Sequence, residues 1–296
     1  MTLNDLLAKH DIDPKKVLAF RHSPQEPELN EVLPSLAAEK PDVFNAYQQT
    51  QTIQVENAML DASYVASFIR HPAGRALFIG LYSIGEATPL TDTQFWRIPS
   101  AKTLREFGMA NSGTSPERQT ILWFDLVLMD FYANWKGKLV VDWPKPYIKW
   151  WRWAHSKELA VQAILPDSVL DAAMPHWQEI SLSWRRLSIL PTEWKSALSH
   201  WRAIYFIFDT SDGKGYVGSA YGKQNLLGRW LNYAASGDGG NAELQKRDPN
   251  NFQFTILERL SPDAEKDEVV RIENTWKERL HTRVPFGLND PQQRRQ

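Results

Sequence analysis

Cysteine is absent from the 296 residues. That excludes disulfides and thiolate metal sites, and any metal site must be built from oxygen or imidazole. Long apolar runs are missing too. Stretches such as residues 76–82 fall far short of the roughly 18 apolar residues that span a bilayer, so no membrane partner is expected. The chain opens MTLNDLLAKHDIDPKK, with charge where an export signal places its apolar segment, and a cytoplasmic location is expected. Nor is either sign of charge in excess: Lys+Arg is 34 against Asp+Glu 35. From Trp201 onward the counts are 14 and 13. A bulk electrostatic grip on nucleic acid is excluded, so a DNA-binding surface would have to be a local patch.

What the chain does have is an ordinary globular share of apolar residues, 43%, and a length that suggests two domains. It also has 13 tryptophans, none before Trp96 and six between Trp123 and Trp153. The first 60 residues read as helical, with segments at 3–10, 29–38 and 42–51, the last carrying Val43, Phe44 and Tyr47 at helix spacing. From residue 63 the period changes. Short β-branched and aromatic runs at 64–69, 76–82, 121–128, 138–143 and 160–165 are bounded by Gly, Pro or Asp, as in a small curled β-sheet or barrel. The domain reading is therefore 1–180 for an N-terminal α+β recognition domain, 181–199 for a linker containing Pro191, 200–290 for a second domain, and 291–296 for a mobile tail.

The second domain alternates over 202–209, turns at Asp212-Gly213, and resumes at Tyr216-Val217-Gly218. Asp-Gly is a strong hairpin signal because Gly accepts positive φ. A helix over 226–236 ends at Gly237 and the Gly239-Gly240 pair. Residues 252–258 alternate again, 267–280 form a last helix, and a turn follows at 284–289. The order is β-β-α-β-α, an α+β arrangement.

Helical geometry brings particular side chains together. At about 100° per residue, Val269, Ile272, Trp276 and Leu280 form one stripe, and Glu273 lies at its edge, about 40° from Val269. A carboxylate there is either a partnered structural acid or a metal ligand or acid–base group. On the preceding helix Leu226 and Trp230 point inward, while Arg229 and Tyr233 are neighbours beside that face. A guanidinium at the rim of a core suits a phosphate clamp, or an ion pair with an acid such as Glu273. Tyr205 and Tyr216 occupy the two strands of one hairpin. Gly218, inside a strand, marks the close approach of another group.

Ala203-Ile204-Tyr205, Tyr216-Val217-Gly218, Arg229, Glu273 and Asn289, in that order and on those elements, resemble the GIY-YIG nuclease domain over the last third of the chain. Ala203 and Val217 are mild departures. Ser219 stands where excision-repair members carry a catalytic lysine, and Tyr233 matches those members where some restriction enzymes have His. The resemblance implies one-metal hydrolysis of a phosphodiester. By it Glu273 would be the protein ligand of one Mg²⁺ or Mn²⁺ ion, with water and phosphate oxygens completing the shell. Arg229 would stabilise the phosphate charge. Tyr205 would be the general base, Tyr216 and Tyr233 would position nucleophile and phosphate, and Asn289 would bond backbone and fix the Glu273 helix. A phenol of pKa ~10 needs a nearby cation to act as a base near neutrality, and Lys214 or Lys223 are the loop residues that could supply one.

The N-terminal two-thirds shows no catalytic motif; His22, His71 and His155 are scattered. Residues 68–82 resemble the barrel pattern of PUA/EVE-type domains, which read modified or flipped bases. Lys149-Trp150-Trp151-Arg152-Trp153 interleaves cations with aromatics, as surfaces that bind nucleic acid do, although such tryptophans also fill cores. The expected function is a metal-dependent DNA endonuclease in restriction or anti-phage defence. Its N-terminal domain would select double-stranded, plain or modified DNA, and two chains would pair to cut both strands. The alternatives are a non-cleaving DNA reader with a GIY-YIG clamp and a repair or recombination nuclease.

Overall fold

The computed structural model describes residues 1–170, 174–222, 225–236 and 241–290. Lys223, the glycines at 237, 239 and 240, and the expected tail at 291–296 lie outside the described residues. The chain divides into two compact α+β units, Met1–Ala172 and Ala173–Gln296. Among the described residues no helix is long and apolar enough to cross a membrane.

In the N-terminal unit, α1 (Leu3–Ala8) leads into β1 (Val17–His22) and then α2 (Pro27–Glu39), α3 (Pro41–Gln49) and α4 (Ile53–Asp61). Next come β2 (Tyr64–His71), β3 (Arg75–Thr91), α5 (Asp92–Phe95), α6 (Pro99–Glu106) and β4 (Thr120–Leu128). β5 (Leu139–Asp142), β6 (Trp151–Trp153) and β7 (Val161–Ile164) complete a sheet of order β6-β1-β2-β3-β5-β7, with β4 also paired to β3. β3 is 17 residues long and serves β2 and β5 with its first half and β4 with its second. Register shifts between Ser67 and Phe68 and between Ile84 and Ala87 mark bulges. Bulges bend strands, and here they curl the sheet.

The helical reading of the first 60 residues is corrected by β1. Its six residues are all buried, parallel to β2 on one side and antiparallel to β6 on the other. A strand covered on both faces shows no alternation, so its period cannot be told from that of a buried helix.

The C-terminal unit runs β8 (Ser181–Ser183), α7 (Thr192–His200), β9 (Arg202–Asp209), β10 (Gly215–Ala220), α8 (Asn225–Ser236), β11 (Phe252–Leu260) and α9 (Lys266–Arg279). The sheet order is β10-β9-β11-β8, antiparallel throughout. From β9 to α9 this is the β-β-α-β-α order read from the sequence. The segment 181–199 is not a linker. β8 pairs with β11, and Leu182, Leu187, Leu190, Trp194 and Leu198 are buried in this unit's core. A three-residue strand is too short to show a period, and Pro191, which suggested a linker, is the N-cap of α7.

The sheet has two covered faces. Tyr205, Ile207, Leu226, Trp230 and Tyr233 are buried together on one, while Ile204, Val217 and Val269 pack on the other, with Ile272 and Trp276 alongside. Leu280, expected in the α9 stripe, is instead the exposed C-cap of that helix. Asn289 is buried and bonds backbone, but on β10 rather than on α9: Val217 N–H donates to its Oδ1 at 2.9 Å, and its Nδ2 donates to the Val217 carbonyl at 2.8 Å. Its own N–H donates to the Thr282 carbonyl at 2.7 Å. The side chain thus pairs an otherwise open stretch of β10 as a neighbouring strand would. Asn289→Ala leaves two buried backbone groups unsatisfied, and the full chain should lose about 2–4 kcal/mol in the denaturant transition of this unit. An unchanged midpoint would show that the loop beyond α9 is not held this way.

Candidate active site

The pairing of β9 with β10 sets the site. Tyr205 lies directly opposite Gly218, and Ser219 opposite Ile204. Side chains alternate across a strand, so Tyr205, Tyr216 and Gly218 share the face covered by α8, while Ser219 shares the opposite face with α9. A Cβ on Gly218 would overlap the Tyr205 hydroxyl. The close approach marked by this glycine is therefore that of the tyrosine ring itself.

Three phenols meet there. The Tyr205 and Tyr233 hydroxyls lie 3.1 Å apart in a buried hydrogen bond, and Tyr233 interacts in turn with Tyr216. Ring centroids are 6.5 Å apart for Tyr205 and Tyr216, 6.1 Å for Tyr205 and Tyr233, and 6.3 Å for Tyr216 and Tyr233. Burial raises all three phenol pKa values well above the usual range. Arg229 opposes that rise in each case but does not overcome it. Its own pKa is held up, first by Tyr205, against burial, and then by Tyr233, Tyr216 and Glu273.

The expectation that Tyr205 is the general base is corrected on two grounds. Its side chain is fully buried, and burial favours the neutral phenol. Lys214 does not supply the missing cation. Its ammonium donates to the Pro285 carbonyl at 3.2 Å, and the cation that chiefly opposes the rise of the Tyr205 pKa is Arg229.

Arg229 is exposed on α8, one turn before Tyr233. It lines an open cleft of about 680 Å³ together with Glu273, Ser219, Tyr221 and Asn225. None of the three phenols lines that cleft. Glu273 projects from α9 and is only 15% exposed. One of its oxygens accepts from the Ser219 hydroxyl and the other pairs with the Lys277 ammonium. Arg229 is not its ion-pair partner. Ser219, Arg229 and Glu273 are thus brought together from β10, α8 and α9, with the phenols packed beside them. Lys277, one helical turn beyond Glu273, and Tyr221 escaped the sequence reading. The Glu-x-x-x-Lys spacing was the available signal for Lys277.

As a metal site the donor set is sparse. Among the described residues no three His, Asp or Glu side chains cluster. One carboxylate beside one hydroxyl suits a hard divalent ion that keeps water and takes substrate oxygens, and does not suit an all-protein cage.

The N-terminal unit contains a second cleft of about 800 Å³, lined by His22, Tyr47, Gln51, Asn111, Arg118 and Trp150 among others. His22 is fully buried. Its Nε2 lies 3.0 Å from the Ser67 hydroxyl and 3.3 Å from Gln48 Oε1, and burial pushes its pKa down to about 4. The expected DNA-binding run at 149–153 is largely structural. Trp151, Arg152 and Trp153 form β6, and Trp150, Trp151 and Trp153 pack against buried residues of β1, β2 and α4. Arg152 is 2% exposed; its guanidinium lies 4.6 Å from the Trp143 ring and donates to the Pro144 carbonyl at 2.9 Å. It cannot reach a phosphate from there. The exposed groups lie just before β6: Lys149, with Lys145, Tyr147 and Ile148.

Two similar solved structures are the catalytic domain of homing endonuclease I-TevI and a mutant of the catalytic domain of intron endonuclease I-TevI. The first is 30% identical and the second 29%, each over 30% of this chain. The matches cover 98% and 92% of those chains, with a TM-score of 0.26 in both cases. No protein-family model matches the chain, and no curated protein matches it. The PUA/EVE resemblance of residues 68–82 finds no support in these comparisons.

The buried phenols make alkaline stability a test of this geometry. Each keeps its proton in the folded unit to a higher pH than in the unfolded chain, where phenols titrate near pH ~10. Stability is therefore full below about pH 10 and is lost as pH rises through it. The Tm of the full chain should fall above about pH 10, and less steeply in Tyr233→Phe. Identical slopes for the two proteins would contradict the buried cluster.

Proposed function

We propose that the C-terminal unit is a metal-dependent phosphodiesterase that cuts DNA. The reading is carried by one observation: Glu273 and Arg229, from different helices, line one cleft beside Ser219. Glu273 would hold a single Mg²⁺ or Mn²⁺ ion. Bound there, such an ion would polarise the phosphodiester and stabilise the leaving oxyanion.

The chain's own residues do the rest. Arg229, exposed at the cleft wall, binds phosphate oxygens and offsets charge as it develops. Ser219 donates to one Glu273 oxygen and fixes the rotamer of the carboxylate. The neutral phenols act as hydrogen-bond donors. None of them lines the cleft, so they act from behind it: Tyr205, Tyr216 and Tyr233 face Arg229 and hold its guanidinium in place. In this scheme the tyrosines are positioning residues and do not deprotonate water in the resting protein.

A separate N-terminal unit supports a division between cutting and target choice, and restriction or anti-phage defence is the setting we propose. The exposed Lys145–Lys149 loop is its DNA contact: Lys145 lies 5.9 Å from the Tyr147 ring and Lys149 5.6 Å from the Trp151 ring. Such pairing of cations with aromatics suits a nucleic-acid strand. A second reading, a DNA clamp that does not cut, is favoured by one observation, that both Glu273 oxygens already have partners within the protein.

Incubation of the purified full chain with plasmid and with modified phage DNA, in Mg²⁺ or Mn²⁺, separates the readings. Cleavage is expected, with Glu273→Ala and Arg229→Ala each reducing it about 100-fold or more. Undiminished cutting by Glu273→Ala removes the site assignment, and DNA binding with no nicking by the wild type establishes the clamp. For the loop, Lys145→Ala with Lys149→Ala should weaken DNA binding and make log K against log[salt] shallower by about 1–2. An unaltered slope would take the loop out of the interface.

A further inference from the structure

We propose that Lys277 is a built-in counter-ion of the metal-binding carboxylate: it occupies Glu273 in the metal-free protein and yields its place to the divalent ion. The inference rests on reading Glu273 as the metal ligand.

Four observations carry it. Glu273 and Lys277 are one turn apart on α9, in the favourable Glu-before-Lys order, and form an ion pair. Their side chains are only 15% and 16% exposed, so this is not an ordinary solvated surface pair of negligible worth. The second carboxylate oxygen is held by Ser219, so each oxygen already has a partner, and a cation that approaches the first meets the Lys277 charge. Finally, among the described residues no three His, Asp or Glu side chains cluster, so the structure offers no all-protein cage in competition with Glu273.

A divalent ion approaching Glu273 therefore meets a like charge at the oxygen it needs. Lys277 is long and flexible enough to swing away, whereas the Ser219 hydroxyl can keep its hydrogen bond to a carboxylate that also ligates an ion. Lys277 thus lowers metal affinity and keeps the acid neutralised and aligned in the metal-free protein. Once displaced, its ammonium remains at a cleft where a phosphate would arrive. Ion binding and phosphate binding would then favour each other, since the ion frees the Lys277 ammonium for the phosphate and a phosphate that pairs with that ammonium frees Glu273 for the ion.

Mn²⁺ binding to the full chain without DNA, followed by electron paramagnetic resonance of the free ion, tests this apart from activity. The proteins are wild type, Lys277→Met, Lys277→Gln, Lys277→Arg and Glu273→Gln. Both neutral substitutions should tighten Mn²⁺ binding about tenfold, Lys277→Arg should stay near wild type, and Glu273→Gln should abolish the site. Met and Gln are good helix formers, so α9 is preserved. A second readout needs no variant: the lysine ammonium resonance of the ion-paired Lys277, sharp without metal, should broaden or shift on Mg²⁺ saturation.

Unchanged or weaker Mn²⁺ binding in Lys277→Gln, or an unmoved ammonium signal, overturns the counter-ion role while the metal site stands, provided that Glu273→Gln still abolishes binding. Mn²⁺ binding that Glu273→Gln does not alter, or no binding in any of the proteins, overturns both.

Discussion

The register of β9 against β10 is the constraint on which the C-terminal site depends. With Tyr205 opposite Gly218, the phenol occupies the space that a side chain would otherwise fill. The same pairing sends Ser219 to the other face, where Glu273 meets it. A slip of one residue would reverse every side chain of one strand. If β10 slipped, Tyr216 and Ser219 would exchange faces, leaving Arg229 without one of its phenols and Glu273 without its hydroxyl. The turn holds this register. Asp209 accepts from Ser211 and pairs with Arg247, which also clamps Asp212 with two hydrogen bonds of 2.8 Å. Asn289 pins β10 from its outer side. The hairpin is thus fixed at its turn and along its edge, and the geometry of the candidate site depends on that fixation.

Charge is distributed so that the site rests with a surplus of one positive charge, that of Arg229. Arg229 faces three phenols that burial keeps protonated, so it remains available to an anion. Glu273 is balanced by Lys277. A cleft in which the acid is already compensated and Arg229 is exposed favours an anion before it favours a metal ion. Among the described residues Glu273 is the one carboxylate that lines this cleft. A second acid beside the phenols would disfavour phosphate and raise the phenol pKa values further.

Much of the C-terminal unit was legible because its strands are covered by helices with clear faces. The alternation in 202–209, the Asp212-Gly213 turn and the 3.6-residue spacing of Leu226, Trp230 and Tyr233 each left a periodic trace. Glu273 at the edge of the α9 stripe followed from the same arithmetic. Several features left no such trace. β1 is buried on both faces and does not alternate. β8 is three residues long. Burial of Arg152 depends on the Trp143 ring nine residues earlier and on carbonyls of the intervening loop, contacts that no local pattern encodes. The Tyr205 base assignment failed for a related reason: whether a phenol is acidic depends on solvent access, which is a property of the assembled core.

The tryptophan excess is explained in the same way. An aromatic run between lysines suggests a stacking surface, yet Trp151 and Trp153 are committed to a strand and Trp143 lies under Arg152. Buried Trp143 and partly buried Trp151 anchor the two ends of the 144–150 loop, with Arg21 donating to the Tyr147 carbonyl at 3.3 Å. A loop held so firmly can present Tyr147, 46% exposed, and Ile148, 89% exposed, without collapsing onto its own apolar surface. The tryptophans therefore form the base from which Lys145, Lys149 and two exposed apolar side chains project as a local patch, of the kind that a chain of near-zero net charge would need in order to hold a polyanion.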